Sequence, residues 1–283
     1  MTDPPTDIAV RTVQGRAGLA AFVSAPESAL VALDFDGTLV PIVDDPRMAR
    51  AAPGVVAVLS ALARRVQRVA IITGRPAATA VEYAGLRGHT GLGRLVVLGQ
   101  YGLERWEAQT EAVTAPTPAP GVAEARRRLP DLLAAHRAAD AYVEDKGTAL
   151  AVHTRRLADP EGAFARLRDP LQELADRVGL VLEPGRFVLE LRPAGVDKGG
   201  ALRALADEEG VRTVLFAGDD LGDLAAFDTV DGLRAEGVAG LLVCSASAEE
   251  TALAEHADVV VDGPEGVVVL LRALVDLLER GAG

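Results

Sequence analysis

A chain of 283 residues with 49% hydrophobic content carries enough apolar material for one large domain or two ordinary ones. Its formal net charge of −12 argues against a broad nucleic-acid or anionic-membrane surface, since either demands a basic stripe, so an anionic ligand needs a locally positive pocket. Cys244 is the one cysteine, which excludes an intrachain disulfide and suits a reducing, cytoplasmic setting.

The first thirty residues place Asp3, Asp7, Arg11 and Arg16 among small residues and form no signal-peptide core. The apolar stretch 267–278 is cut by Arg272 and Asp276, so no membrane partner is expected. Residues 29–34 then read as a buried parallel strand ending in acidic residues. The spacing of Val55, Val56, Leu59 and Leu62 predicts a helix over 53–66, and 68–73 is a second apolar strand closed by Thr73-Gly74-Arg75-Pro76. Further strands are expected at 95–98, 211–216, 241–244 and 258–261, with mostly helical patterns between them, which together describe an α/β fold with a doubly wound parallel sheet.

The middle of the chain follows another rhythm. After the Pro-rich linker 115–121 come a helix (122–138), strands (142–144 and 149–154), a second helix (160–178) and two more strands (180–183 and 186–192). This αββαββ order predicts an inserted α+β domain, 114–193, dividing the core into 1–113 and 194–283. Arg126, Arg127 and Arg128 within it read as a solvated helix face.

In open α/β sheets the ligand lies beyond the carboxyl ends of the strands. Here those ends supply Asp34 and Asp36, then Thr73 and Arg75, then Gly218-Asp219-Asp220 with Asp223 close behind, while Lys198 opens a helix after the insertion. Each signal alone has a plainer reading: Asp-X-Asp as a turn or cap, Thr73 as a helix cap, Gly218-Asp219-Asp220 as a turn. Their convergence on one sheet edge instead fits a site for a phosphate ester and Mg²⁺. A dianionic monoester repels a carboxylate nucleophile, so a divalent cation held by hard oxygens is needed. In this reading Asp34 attacks phosphorus, Asp36 acts as general acid and then base, and Asp34 and Asp219 hold the metal. Thr73 and Lys198 hold the phosphoryl oxygens, and Gly37 permits the turn that brings Asp36 back over the site. Of 29 basic residues only Lys146 and Lys198 are lysines, against 27 arginines, and a site needing one compact ammonium does not readily accept the planar fork of arginine.

Asp34-Phe35-Asp36-Gly37-Thr38-Leu39, Thr73, Lys198 and the acidic pair resemble the haloacid dehalogenase superfamily. From about Val31 to Leu270 the chain is similar to its trehalose-6-phosphate phosphatase family, with Glu144-Asp145-Lys146-Gly147 and His153-Thr154-Arg155 resembling cap signatures of that family. The segment 187–193 running into 195–199 resembles its second cap strand and lysine loop. The resemblance implies a Mg²⁺-dependent phosphatase that uses an aspartyl-phosphate to hydrolyse trehalose 6-phosphate, a small-molecule partner. It implies a metal set of Asp34, Asp36, Asp219, Asp220 and Asp223, and sugar-phosphate contacts from Gly37, Arg75, Glu144, Lys146, Arg155 and Glu190. Another sugar-phosphate phosphatase, acting on sucrose phosphate or a mannosyl-phosphoglycerate, or an inactive sugar-phosphate-binding regulator, is the alternative. A phosphate-accepting signalling receiver would not need Asp36 or the polar insertion. Two departures from the family pattern stand out: Gly222 and Leu224 replace Thr and Glu, and Gln100-Tyr101-Gly102 stands where an Asn- or His-containing turn is common. Nothing in the sequence requires more than a monomer.

Overall fold

The computed structural model describes residues 8–43, 48–185, 187–246 and 252–281, so Asp3, Asp7 and Arg186 lie outside the described residues. Thr12 caps α1 (Val13–Ser24) by accepting a hydrogen bond from the Gly15 N–H. The apolar run that follows is β1 (Ala29–Leu33), buried at all five positions as a central parallel strand must be. Helix α2 (Val55–Ala63) buries Val55, Val58, Leu59 and Leu62 and is shorter than the predicted 53–66, because Pro53 and Gly54 stand before its first turn. Next come β2 (Arg68–Ile72), α3 (Ala77–Ala84) and β3 (Leu95–Gly99). Two strands that the sequence pattern did not suggest follow, β4 (Glu104–Glu107) and β5 (Ala112–Thr114). Their residues are mostly charged or exposed, and Trp106 alone among them is fully buried, so the period-2 signal is too short to read.

The inserted part contains α4 (Pro120–Ala135), β6 (Tyr142–Asp145), β7 (Leu150–His153), α5 (Pro160–Val178), β8 (Val181–Gly185) and β9 (Val188–Arg192). Helix α4 starts inside the predicted linker, since Pro120 occupies a first-turn position where its missing N–H costs nothing. The chain ends with α6 (Lys198–Glu209), β10 (Thr213–Gly218), α7 (Leu224–Ala235), β11 (Ala239–Ala246), α8 (Ala252–His256), β12 (Val259–Asp262) and α9 (Gly263–Gly281). No helix among the described residues is long and apolar enough to cross a membrane. Helix α9 is amphipathic, with Val267, Leu271, Leu274 and Leu278 among its buried residues.

The chain divides into two compact units, Met1–Thr114 with Asp197–Gly283, and Ala115–Val196. In the first, the sheet order is β12-β11-β10-β1-β2-β3-β4-β5, parallel from β12 to β3 and antiparallel through β4 and β5. Alternate residues of β1 serve opposite layers: Val31 and Leu33 pack with residues of α1, α2, α3 and α9, Leu30 and Ala32 with residues of α6, α7 and α8. From β1 the chain moves to β2 on one side, and β10 returns on the other, so a topological switch point falls at the carboxyl end of β1.

In the second unit the antiparallel order is β6-β7-β9-β8. Leu150, Val152, Leu189 and Leu191 pack with residues of α4 and α5 on one face. The cross-strand row Glu144, Ala151, Glu190 and Glu183 therefore belongs to the opposite face, which carries polar side chains.

Candidate active site

Asp34 is the first residue beyond β1, and its N–H continues the ladder by donating to the Ala217 carbonyl at 2.8 Å. That bond keeps the ends of β1 and β10 level, so Asp34 and Asp219 emerge side by side. Lys198, the first residue of α6, donates from Nζ to Asp34 Oδ1 at 2.6 Å and to Asp223 Oδ1 at 2.7 Å. A cation at the positive end of a helix is poorly placed unless anions face it, and two buried carboxylates do so here. Asp223 is fully buried; its Oδ2 accepts from the N–H groups of Asp219 (3.0 Å) and Asp220 (3.3 Å), tying the turn after β10 to the lysine.

Carboxylate oxygens of Asp34, Asp219 and Asp223 lie within 4.8 Å of one another. Asp34 Oδ2 is buried and has no hydrogen-bond partner among the described residues. Gly37 holds φ 83°, and a Cβ there would fall 1.9 Å from Asp219 Oδ2, so only glycine lets the loop after β1 close on that carboxylate. The Ser245 hydroxyl, at the carboxyl end of β11, donates to the Gly37 carbonyl at 2.7 Å and fixes the loop from the other side.

The electrostatics are unbalanced, with three buried carboxylates against one ammonium. Burial is the largest influence on Asp34 and lifts it well above the usual carboxylate range; Lys198 opposes the rise, while Asp223 and Asp219 add to it. Asp219 is pushed up to about 7, by burial first and by Asp220 and Asp223 next. Asp223 is raised because burial outweighs the pull of Lys198. Burial alone would lower Lys198, yet Asp34, Asp223 and Asp220 together hold its ammonium well above the ordinary lysine value. The set holds its protons as a unit. An all-oxygen, surplus-anionic cluster with one orphaned oxygen has the donor chemistry that a hard divalent cation such as Mg²⁺ requires.

Of the expected metal set, Asp34, Asp219 and Asp223 gather, whereas Asp36 and Asp220 are engaged elsewhere. Arg75 grips Asp36 with two bonds, Nε to Oδ2 at 2.6 Å and Nη2 to Oδ1 at 2.7 Å. The same guanidinium lies 5.3 Å from the centre of the Tyr83 ring. Asp220 caps the turn after β10, accepting from the Gly222 N–H at 2.9 Å. A Cβ on Gly222 would meet nothing closer than Asp220 Oδ1 at 3.0 Å, and Leu224 packs against the apolar layer of α6 and α7, so neither departure displaces Asp219 or Asp223.

Thr73 is buried just beyond β2, and its hydroxyl accepts from the Arg75 N–H at 3.1 Å. A turn at Gln100–Gly102 faces it. There Gln100 (φ 48°) and Tyr101 (φ 58°) are successive non-glycine residues in the left-handed region, a conformation costing about 1–3 kcal/mol for each. The sequence marks Gln100-Tyr101-Gly102 as a turn that departs from the family pattern, but not its backbone strain; Ser245, also at a strand end where ligands of such sheets are sought, is not found by sequence reasoning.

In the second unit, Lys146 Nζ meets Glu190 Oε2 at 2.8 Å, both side chains being about 90% covered. Glu144 Oε2 lies 3.0 Å from His153 Nε2, and the Arg155 guanidinium lies 5.8 Å from the Phe187 ring centre. Arg126 pairs with Asp145, and Arg127 and Arg128 with Glu124, at exposed positions.

Residues 32–260 match the model of the Trehalose-phosphatase family. A trehalose-phosphate phosphatase of Mycolicibacterium paratuberculosis is 33% identical over 269 residues, spanning 89% of this chain and 63% of that protein. A Mycobacterium tuberculosis protein named as an uncharacterized glycosyl hydrolase is 37% identical over 213 residues, 71% of this chain but 15% of its own length. The chain thus spans less than two thirds of these relatives. Its fold is that of the Candida albicans trehalose-6-phosphate phosphatase C-terminal domain (TM-score 0.70, 21% identity, 96% of this chain and 99% of the other). It is equally that of an Aspergillus fumigatus trehalose-6-phosphate phosphatase (0.66, 23%, 95% and 99%). With the family model matched from β1 into β12 and the acidic cluster set at the switch point, the chain belongs to the trehalose-phosphatase family.

Proposed function

We propose that the chain is a Mg²⁺-dependent phosphatase that hydrolyses trehalose 6-phosphate to trehalose and inorganic phosphate, in the cytoplasm, through an aspartyl-phosphate on Asp34. The observation that carries this reading is the state of Asp34: one oxygen is anchored on Lys198, and the other is buried and unpartnered. A nucleophile needs that combination, one oxygen fixed for aim and one left to react.

The divalent cation, when bound by Asp34 and Asp219, offsets the charge of the cluster and of the phosphoryl group. Asp34 Oδ2 then forms a bond to phosphorus as the bond to the sugar oxygen breaks, and Asp36 donates a proton to that oxygen. In the second half Asp36 takes a proton from water, whose oxygen attacks phosphorus and frees Asp34 with release of phosphate. The two-pronged grip of Arg75 fixes the rotamer of Asp36 for both tasks. Thr73 and Lys198 hold phosphoryl oxygens as charge develops.

The insertion 114–193 serves as the sugar-recognising cap, with Glu144, Lys146, Arg155 and Glu190 addressing hydroxyls. Directional bonds from charged groups reject analogues that lack those hydroxyls. The test is phosphate release from trehalose 6-phosphate beside glucose 6-phosphate and sucrose 6-phosphate, with Mg²⁺. Strong preference for the first supports the assignment; comparable turnover of all three leaves a sugar-phosphate phosphatase of another or broad specificity. Tight ligand binding with no release from any ester makes the chain an inactive regulator.

A further inference from the structure

The turn at Gln100–Gly102 is built at a cost that chain reversal alone does not require. Glycine or asparagine adopts the left-handed region with least strain, yet glutamine and tyrosine occupy the first two positions. The surroundings show what the strain secures. The Gln100 N–H donates to the Arg75 carbonyl at 2.9 Å and the Tyr101 N–H to the Thr73 carbonyl at 2.9 Å, so the turn is stitched along the loop after β2. The buried Gln100 side chain donates to Glu104, whose other oxygen accepts from the Ala77 N–H at 2.6 Å, clamping the start of α3 to the same loop.

Tyr101 lies over Gly74: a Cβ at position 74 would be 2.6 Å from the phenol oxygen and 2.7 Å from Cζ. On the other side, a Cβ on Gly102 would be 2.8 Å from Cβ of Ala201, on the helix that begins with Lys198. The strained turn therefore sits between the two segments that present Thr73 and Lys198.

We propose that Tyr101 is a positioning residue: its phenol, laid on Gly74, holds the Thr73-Gly74-Arg75 loop in the attitude that aims the Thr73 hydroxyl at the transferring phosphoryl group. This rests on the phosphatase reading above. Tyr101 acts through the loop and on the phosphoryl group, so its influence does not depend on which alcohol the phosphate is esterified to.

The experiment uses the full chain loaded with Mg²⁺ and compares wild type with Tyr101→Gly and Tyr101→Phe. It measures Tm, kcat/KM on trehalose 6-phosphate and on p-nitrophenyl phosphate, and the affinity for inorganic phosphate by calorimetry. Glycine relieves the backbone strain, so Tyr101→Gly keeps or raises Tm. Its kcat/KM falls at least about tenfold, by the same factor on both esters, and its phosphate affinity weakens, whereas Tyr101→Phe, which keeps the ring, stays within about threefold. Wild-type kinetics and phosphate affinity in Tyr101→Gly, or a loss confined to the sugar ester, overturns the proposal. Should Tyr101→Gly lose Tm, Tyr101→Asn, which tolerates the same backbone, is judged by the same readings. Wild type inactive on every ester contradicts the phosphatase reading instead, and phosphate affinity across the variants still decides the role of Tyr101.

Discussion

The two lysines of this chain occupy opposite electrostatic situations. Lys146 in the inserted unit meets the Glu190 carboxylate at the polar face of a small sheet. Lys198 in the core bonds two carboxylates, a third stands within reach of both, and one oxygen of the set is left without a partner. An ion pair on such a face can lend its polar atoms to a neutral, hydroxyl-rich ligand. A buried surplus of negative charge is tolerated only by holding protons or by binding a cation, so the core cluster is where metal and phosphoryl chemistry belong.

The largest effect expected from breaking this contrast is on Asp34. Asp34→Asn keeps the shape and the lysine contact but removes the nucleophile, and steady-state turnover should fall by more than about three orders of magnitude while circular dichroism is unchanged. Turnover close to wild type would remove Asp34 from the chemistry. Next, Lys198→Met strips the ammonium that bonds two of the three buried carboxylates, and denaturant unfolding of the metal-free protein should show a loss of about 3–5 kcal/mol. A loss no larger than that of Lys146→Met would erase the distinction between the two lysines.

Lys146→Ala sharpens the comparison from the other side. It should raise KM for trehalose 6-phosphate about tenfold and leave p-nitrophenyl phosphate hydrolysis nearly unchanged. Equal effects on both esters would take Lys146 out of sugar recognition. The smallest effect is a thermal one with a definite sign. With its carboxyl raised to about 7, Asp219 in the folded metal-free protein keeps a proton that the unfolded chain releases near pH 4. The cluster's contribution to stability therefore declines as pH rises from about 4 through about 7. Mg²⁺, which competes with those protons, should raise Tm by a few degrees at pH 8 and by less at pH 5. A Mg²⁺ increment independent of pH, measured by calorimetric scans in both buffers, would show that the ion binds elsewhere.

What the sequence conveyed and what it did not divide along a physical line. Central strands such as β1 and β10 are continuous apolar runs because both faces are covered, and those runs are visible without coordinates. Strand β4, between β3 and the edge strand β5, has Trp106 as its one fully buried side chain, with Arg105 and Glu107 paired to each other, so its pattern resembles a charged loop. In the site, strand-end reasoning brought Asp34, Thr73, Lys198, Asp219 and Asp223 to the same sheet edge, since topology decides which strand ends are neighbours. It does not decide rotamers. Asp36, read as acid–base and as metal ligand, and Arg75, read as a substrate contact, bind each other; Asp223, read as a metal ligand, lies with Asp34 and Asp219 while also accepting from Lys198 and two backbone N–H groups. The turn at Gln100-Tyr101-Gly102 is legible as a departure from the family pattern, but its strain is not, because neither residue type advertises a left-handed backbone.

The most direct measurement is to react Mg²⁺-loaded Asp36→Asn protein with trehalose 6-phosphate, quench it in acid and locate the phosphoryl group by peptide mass spectrometry. Removing the base for the second half-reaction should let the intermediate accumulate, and the phosphoryl group is expected on Asp34. Phosphate release with no phosphorylated peptide, or a phosphoryl group on any other residue, would contradict the central claim that the unpartnered oxygen of Asp34 is the nucleophile.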